Sequence, residues 1–145
     1  MLLRQKKIQL PPGAVVRLPG TWEGYQELCQ KLGDRSSPRI KYRPGEILLM
    51  APLPKHGHTV NIIADVVKVL LGYLELENEA FTSITMQLSQ ESGIEADYCF
   101  YIDNWQSVAV KDRIDWEVDP PPDLAIEVDV TSYTDINDCL PYRVR

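Results

Sequence analysis

The sequence predicts an α/β (α+β) fold in which a mixed β-sheet packs on one long helix. Three observations predict it. Apolar residues recur at helical period from Gly57 to Glu77, a run of about five or six turns. A hairpin-like stretch precedes this run, and strand-like stretches follow it. The order of helix, hairpin, long helix and strands is that of a helix layer laid on a sheet.

Residues 1–20 carry Pro11, Pro12, Gly13, Pro19 and Gly20 and read as an extended N-terminal arm; residues 21–145 are expected to form a single domain. Thr21 is a suitable N-cap, and Gly33 is a suitable stop. Between them Trp22, Tyr25, Leu28, Cys29 and Leu32 lie at helical spacing, so a short amphipathic helix is expected. Ile40–Tyr42 and Glu46–Ala51 flank Arg43-Pro44-Gly45, which predicts a β-hairpin closed by Pro52 and Pro54. In the long helix, Val60, Ile63, Val67, Leu70, Leu71 and Leu74 form a stripe that Ile62, Val66, Val69 and Tyr73 broaden. More than one face is therefore expected to be buried. Strands are expected at Phe81–Leu88, Glu95–Ile102 and Asp123–Val130, the last launched by Pro120-Pro121-Pro122. Asn104–Val118 reads either as a short helix plus a strand or as a long excursion. Asp135–Arg145 is polar, and Pro141 argues against an undisturbed helix there.

The 145 residues suffice for one core. A hydrophobic share of 44% and a charged share of 25% exclude wholesale disorder. The net charge of −6 argues against a surface that coats nucleic acid, because neutralising phosphates takes clustered Lys and Arg. It still allows an enzyme with one local basic face and an acidic metal site. Cys29, Cys99 and Cys139 are far apart and form no CxxC pair, so a reducing cytoplasm is the expected location. The opening MLLRQKKIQLPPG lacks the apolar core of a signal peptide. Asn61, Asp65, Lys68 and Gly72 interrupt the longest apolar tract, so no membrane span is expected.

Acidic residues fall inside two of the expected strands. Alternation puts Glu95, Asp97, Cys99 and Tyr101 on one face of the first. In PDLAIEVDV it puts Leu124, Ile126, Val128 and Val130 on a uniformly apolar core face, with Asp123, Ala125, Glu127 and Asp129 opposite. If the two strands are neighbours, Asp97 and Glu127 lie side by side. They then form an oxygen-rich site of the kind Mg²⁺ or Mn²⁺ prefers. The same acids also suit a solvated face of a half-exposed strand. Asp123 stands about 13 Å from Glu127 along an extended strand, too far to share an ion, and reads as a strand-entry residue.

His56 and His58 flank the start of the long helix without HExxH or Cys/His spacing, so a zinc site is not expected. His56 reads locally as a solvent-facing loop residue, with a cleft at the helix N-terminus as the alternative. No G-x-S-x-G, P-loop or G-x-G-x-x-G is present. Asn104, Trp105 and Trp116 read as packing and turn residues.

Five stretches in order are shared with a known family: RPGEILLMAPLP, the KHG opening of the long helix, EADYCFYI, PPDLAIEV and the following VTS. On these, from about Thr21 onward, the chain resembles the Uma-two family of the restriction-endonuclease-like, PD-(D/E)XK superfamily. The resemblance implies a Mg²⁺- or Mn²⁺-dependent endonuclease acting on DNA. It implies Asp97 and Glu127 as metal ligands and His56 as a further catalytic residue, with Glu46 and Asp129 as secondary candidates. It departs from the pattern where Ala96 precedes Asp97 and where Asp129 stands two residues after Glu127. In the stretch DCLPYRVR, Cys139 occupies the expected lysine position, and Arg143 or Arg145 is the electrostatic substitute on offer. Relatives continue beyond Arg145, so the resemblance implies a domain incomplete at its C-terminus, with an unpaired sheet edge that invites a homodimer. The alternative reading is a catalytically inactive nuclease fold serving as a binding or assembly module. A purely structural domain with acids on a solvated strand face is a third reading.

Overall fold

The computed structural model describes residues 9–33, 38–88 and 92–128. Its elements are β1 (Val15–Gly20), α1 (Trp22–Leu32), β2 (Arg39–Arg43), β3 (Gly45–Met50), α2 (Pro54–Tyr73), β4 (Glu79–Leu88), β5 (Ser92–Tyr101), α3 (Trp105–Val108) and β6 (Leu124–Ile126). One α+β sheet results, with strands in the order β1-β3-β2-β5-β4 and β6 paired to β5. A mixed sheet was expected, but every pairing among the described residues is antiparallel. β2 and β3, and β4 and β5, follow each other too closely to pair in parallel, since a parallel partner needs a long crossover.

The start and stop signals of α1 act as expected. The Thr21 hydroxyl accepts from the Gly24 N–H at 3.2 Å, and Gly33, at φ 60°, donates its N–H to the Cys29 carbonyl. Tyr25 and Leu32 of α1 are buried against Ile40, Tyr42, Ile47 and Leu49 of the β2–β3 hairpin. Gly45, at φ 90°, makes the tight turn between those strands.

The long helix begins three residues earlier than expected, at Pro54. Proline is well placed there, because a first-turn residue has no intrahelical N–H bond to lose. The helix ends at Tyr73, and the chain turns away through Glu75 at φ 56°. Val60, Ala64 and Leu71 pack with Tyr98, Phe100 and Ile126. The expectation that more than one face of α2 is buried is not met among the described residues. Ile62, Val66, Val69, Leu70 and Tyr73 are exposed, because the sheet covers one stripe and α1 packs on the hairpin instead.

Residues 104–118 resolve to α3 and a series of turns, without a strand. Val108 packs with Met86, Cys99 and Tyr101, and the Trp116 indole donates to the Thr85 carbonyl at 3.0 Å. Asp123 opens β6 as a strand-entry residue, its carboxylate accepting from the backbone N–H groups of Ile102 and Asp103. The face read as uniformly apolar is only partly core: Ile126 is buried, while Leu124, at the start of the strand, is exposed. Among the described residues no helix is long and apolar enough to cross a membrane.

Candidate active site

The site is built where three strands meet. β4 pairs with β5 along nearly its whole length. The other edge of β5 is shared: β2 pairs at its start, Tyr42 with Gly93, and β6 pairs near its end, Tyr98 with Ile126. Both partners run antiparallel to β5, so the end of β6 points at the beginning of β2. Asp97 lies on β5 at that junction. Continuing the β5–β6 register by one step sets Glu127 opposite Asp97, where facing residues hold their Cβ atoms about 4.5–5.5 Å apart.

Asp97 is only 2% exposed, and both of its oxygens are engaged. Oδ2 accepts from the Val128 N–H at 2.7 Å. Oδ1 lies 2.9 Å from His56 Nε2 and also meets the Arg39 guanidinium. Glu127 Oε2 lies 3.3 Å from Lys41 Nζ, with both side chains largely enclosed. Each acid at the junction therefore has a cation from β2. The sequence of β2, RIKYR, explains this. Its alternation puts Ile40 and Tyr42 in the core beneath α1 and presents Arg39 and Lys41 on the other face. His56 arrives from the first turn of α2, because starting that helix at Pro54 draws the histidine out of the loop in which it was expected.

A third acid stands beside this group. Glu95, two residues before Asp97, is buried and accepts from the Thr85 hydroxyl at 3.0 Å. Burial pushes its carboxyl above the usual carboxylate range. The Thr85 hydroxyl, nearby Arg39, the Ile40 N–H and Lys41 pull it back. Cys99, on the same strand, is a buried thiol pushed up to about 12, which leaves it protonated and unreactive at neutral pH.

Of the residues in the sequence reading, the structure sets His56 2.9 Å from Asp97 and pairs Glu127 with Lys41 of β2. Glu46 lies elsewhere, at the hairpin turn. Hydrogen bonding to Arg43, at 2.8 Å, holds its carboxyl below the usual range, and Arg17 adds to the effect. Asp129, Cys139, Arg143 and Arg145 lie outside the described residues. Sequence reasoning missed Arg39, Lys41 and Glu95. The available signal was cations at alternate positions of a strand whose other residues are strongly apolar, a pattern that asks for buried partners.

Carboxylates such as Asp97 and Glu127 supply hard oxygen donors, the ligand chemistry that Mg²⁺ or Mn²⁺ takes. In the structure Asp97 meets Arg39 and Glu127 meets Lys41. Among the described residues no group of three or more His, Cys, Asp or Glu side chains is arranged to hold an ion.

Comparison with known proteins adds one finding. The Uma2 family model, described as "Putative restriction endonuclease", matches residues 22–139, well over half of the chain. No curated protein and no solved structure matches significantly. The matched span contains the hairpin, the whole of α2 and all the acids and cations of the junction, and on this match the chain belongs to the Uma2 family.

Proposed function

We propose that this protein is a divalent-metal-dependent endonuclease that hydrolyses DNA phosphodiester bonds in the cytoplasm, in a single domain whose sheet includes β1. The reading is supported by the β5–β6 register, which, carried one residue past the end of β6, would bring Glu127 opposite Asp97, within a span matched by an endonuclease family. Asp97 and Glu127 would hold Mg²⁺ or Mn²⁺. Such an ion supplies an activated water and charge neutralisation at a phosphoryl group. His56, 2.9 Å from Asp97, would orient that carboxylate and supply a proton-carrying group beside it.

The test is cleavage of supercoiled plasmid with Mg²⁺ or Mn²⁺. Folded wild-type protein should nick and linearise it, and Asp97→Asn and Glu127→Gln should each abolish this. Absence of cleavage across metals and pH from a folded sample would overturn the enzyme reading. A second reading, an inactive nuclease fold acting as a binding module, is favoured by the internal cations already paired with both acids. Titration calorimetry separates the two, since the inactive fold should give no saturable Mn²⁺ site.

A further inference from the structure

The two cations at the junction are themselves unusual. Lysine and arginine are seldom enclosed unless paired, yet β2 encloses one of each, two residues apart on one strand face. Each meets a different acid: Arg39 meets Asp97 on β5, and Lys41 meets Glu127 just past β6. Asp97 and Glu127 are thus each already paired with a cation, and Glu95 stands close enough to feel both cations. An added divalent ion would bring two further positive charges against Arg39 and Lys41. Those side chains are long and flexible, whereas Asp97 stands on a short stem within β5. Asp97 is further fixed by the Val128 N–H and His56. The cations are therefore the part that yields.

We infer that Arg39 and Lys41 are the phosphate-binding half of the site, held in reserve by Asp97 and Glu127 as internal counter-ions. They are released when the carboxylates take a divalent ion. This rests on the metal-dependent reading above and adds an exchange to it. Once displaced, a guanidinium and an ammonium from same-face positions of β2 stand beside the carboxylates they had paired with. A planar bidentate donor beside a point charge is the pairing that suits a phosphodiester anion. The exchange also accounts for a substrate-binding face in a chain of net charge −6: its positive charge is exposed only in the metal-loaded state.

The experiment measures binding, with cleavage kept out of it. Mn²⁺ is titrated calorimetrically into wild type, Lys41→Met and Lys41→Arg. Removing the competing internal cation should tighten Mn²⁺ by about tenfold in Lys41→Met, about 1.4 kcal/mol, and leave Lys41→Arg near wild type. With Ca²⁺ as the metal, binding of a short DNA duplex should weaken in Lys41→Met, and its logarithmic salt slope should fall by about one. Lysine acetylation of the wild-type protein, followed on the peptide carrying Lys41, covers the case in which Lys41→Met does not fold. Modification of Lys41 should speed up severalfold when saturating Mn²⁺ is added. Unchanged or weaker Mn²⁺ binding in Lys41→Met, or metal-insensitive acetylation of Lys41, overturns the exchange while wild-type Mn²⁺ binding leaves the nuclease reading standing. A wild-type protein with no Mn²⁺ site removes both.

Discussion

Asp97→Ala is expected to destabilise the fold before it says anything about chemistry. The carboxylate is 2% exposed and serves three partners: the Arg39 guanidinium, His56 Nε2 and the Val128 N–H. Deleting it strands an enclosed cation, and breaking one partner out of a buried ion pair costs about 3–5 kcal/mol. It also leaves a part-buried N–H with no acceptor, a loss that by itself costs about 1–3 kcal/mol. The two losses overlap, so about 3–5 kcal/mol is the expectation for the whole substitution, against a total stability of about 5–15 kcal/mol for an ordinary domain. Asp97→Asn keeps the shape and an oxygen acceptor for Val128 while removing the charge, and should cost roughly half as much. Urea unfolding followed by tryptophan fluorescence measures both, with free energies taken by linear extrapolation. The reasoning is refuted if Asp97→Ala lies within about 1 kcal/mol of wild type, the range of exposed ion pairs. It is also refuted if the two variants are equally stable. The amide variant is accordingly the one to carry into cleavage assays.

Three further outcomes are expected. Gly93→Ala should destabilise by about 1–3 kcal/mol or more, since a Cβ there would fall within the ring of buried Tyr25; thermal unfolding measures it, and pairing it with Tyr25→Leu should recover part of the loss. Glu95 has a folded-state pKa raised by burial, so its contribution is fully present below the unfolded carboxylate value and is lost as pH rises through the raised folded value. Glu95→Gln should flatten that part of a stability–pH curve. Asp119 shows the opposite sign: hydrogen bonds from Lys111 and from the Asp115 N–H hold its carboxyl below the usual range. Its contribution is present above the unfolded value and is lost as pH falls through the lowered one. Asp119→Asn should therefore be less stable than wild type at neutral pH, with the gap closing in acid.

Local rules carried the sequence reading a long way. Thr21, Gly33 and Gly45 act through their own backbone conformations, so the limits of α1 and the hairpin turn could be read from single residues. The existence of α2 followed from apolar period alone. Its start did not, because Pro54 ends a strand and begins a helix equally well, and those three residues decide whether His56 reaches Asp97. The nearness of Asp97 and Glu127 was legible only as a conditional, since it required their strands to be neighbours; the structure pairs β5 with β6 as far as Tyr98 and Ile126. The five shared stretches pointed to the family because motif order survives in one dimension. Arg39 and Lys41 could not be read in the same way. Their partners lie 58 and 86 residues along the chain, and no local pattern says which carboxylate a cation will meet. Sequence by itself thus determined the elements and the faces on which the acids stand, since both depend on neighbours a few residues away. Which charges meet depends on which strands share an edge of β5, and only the assembled sheet decides that.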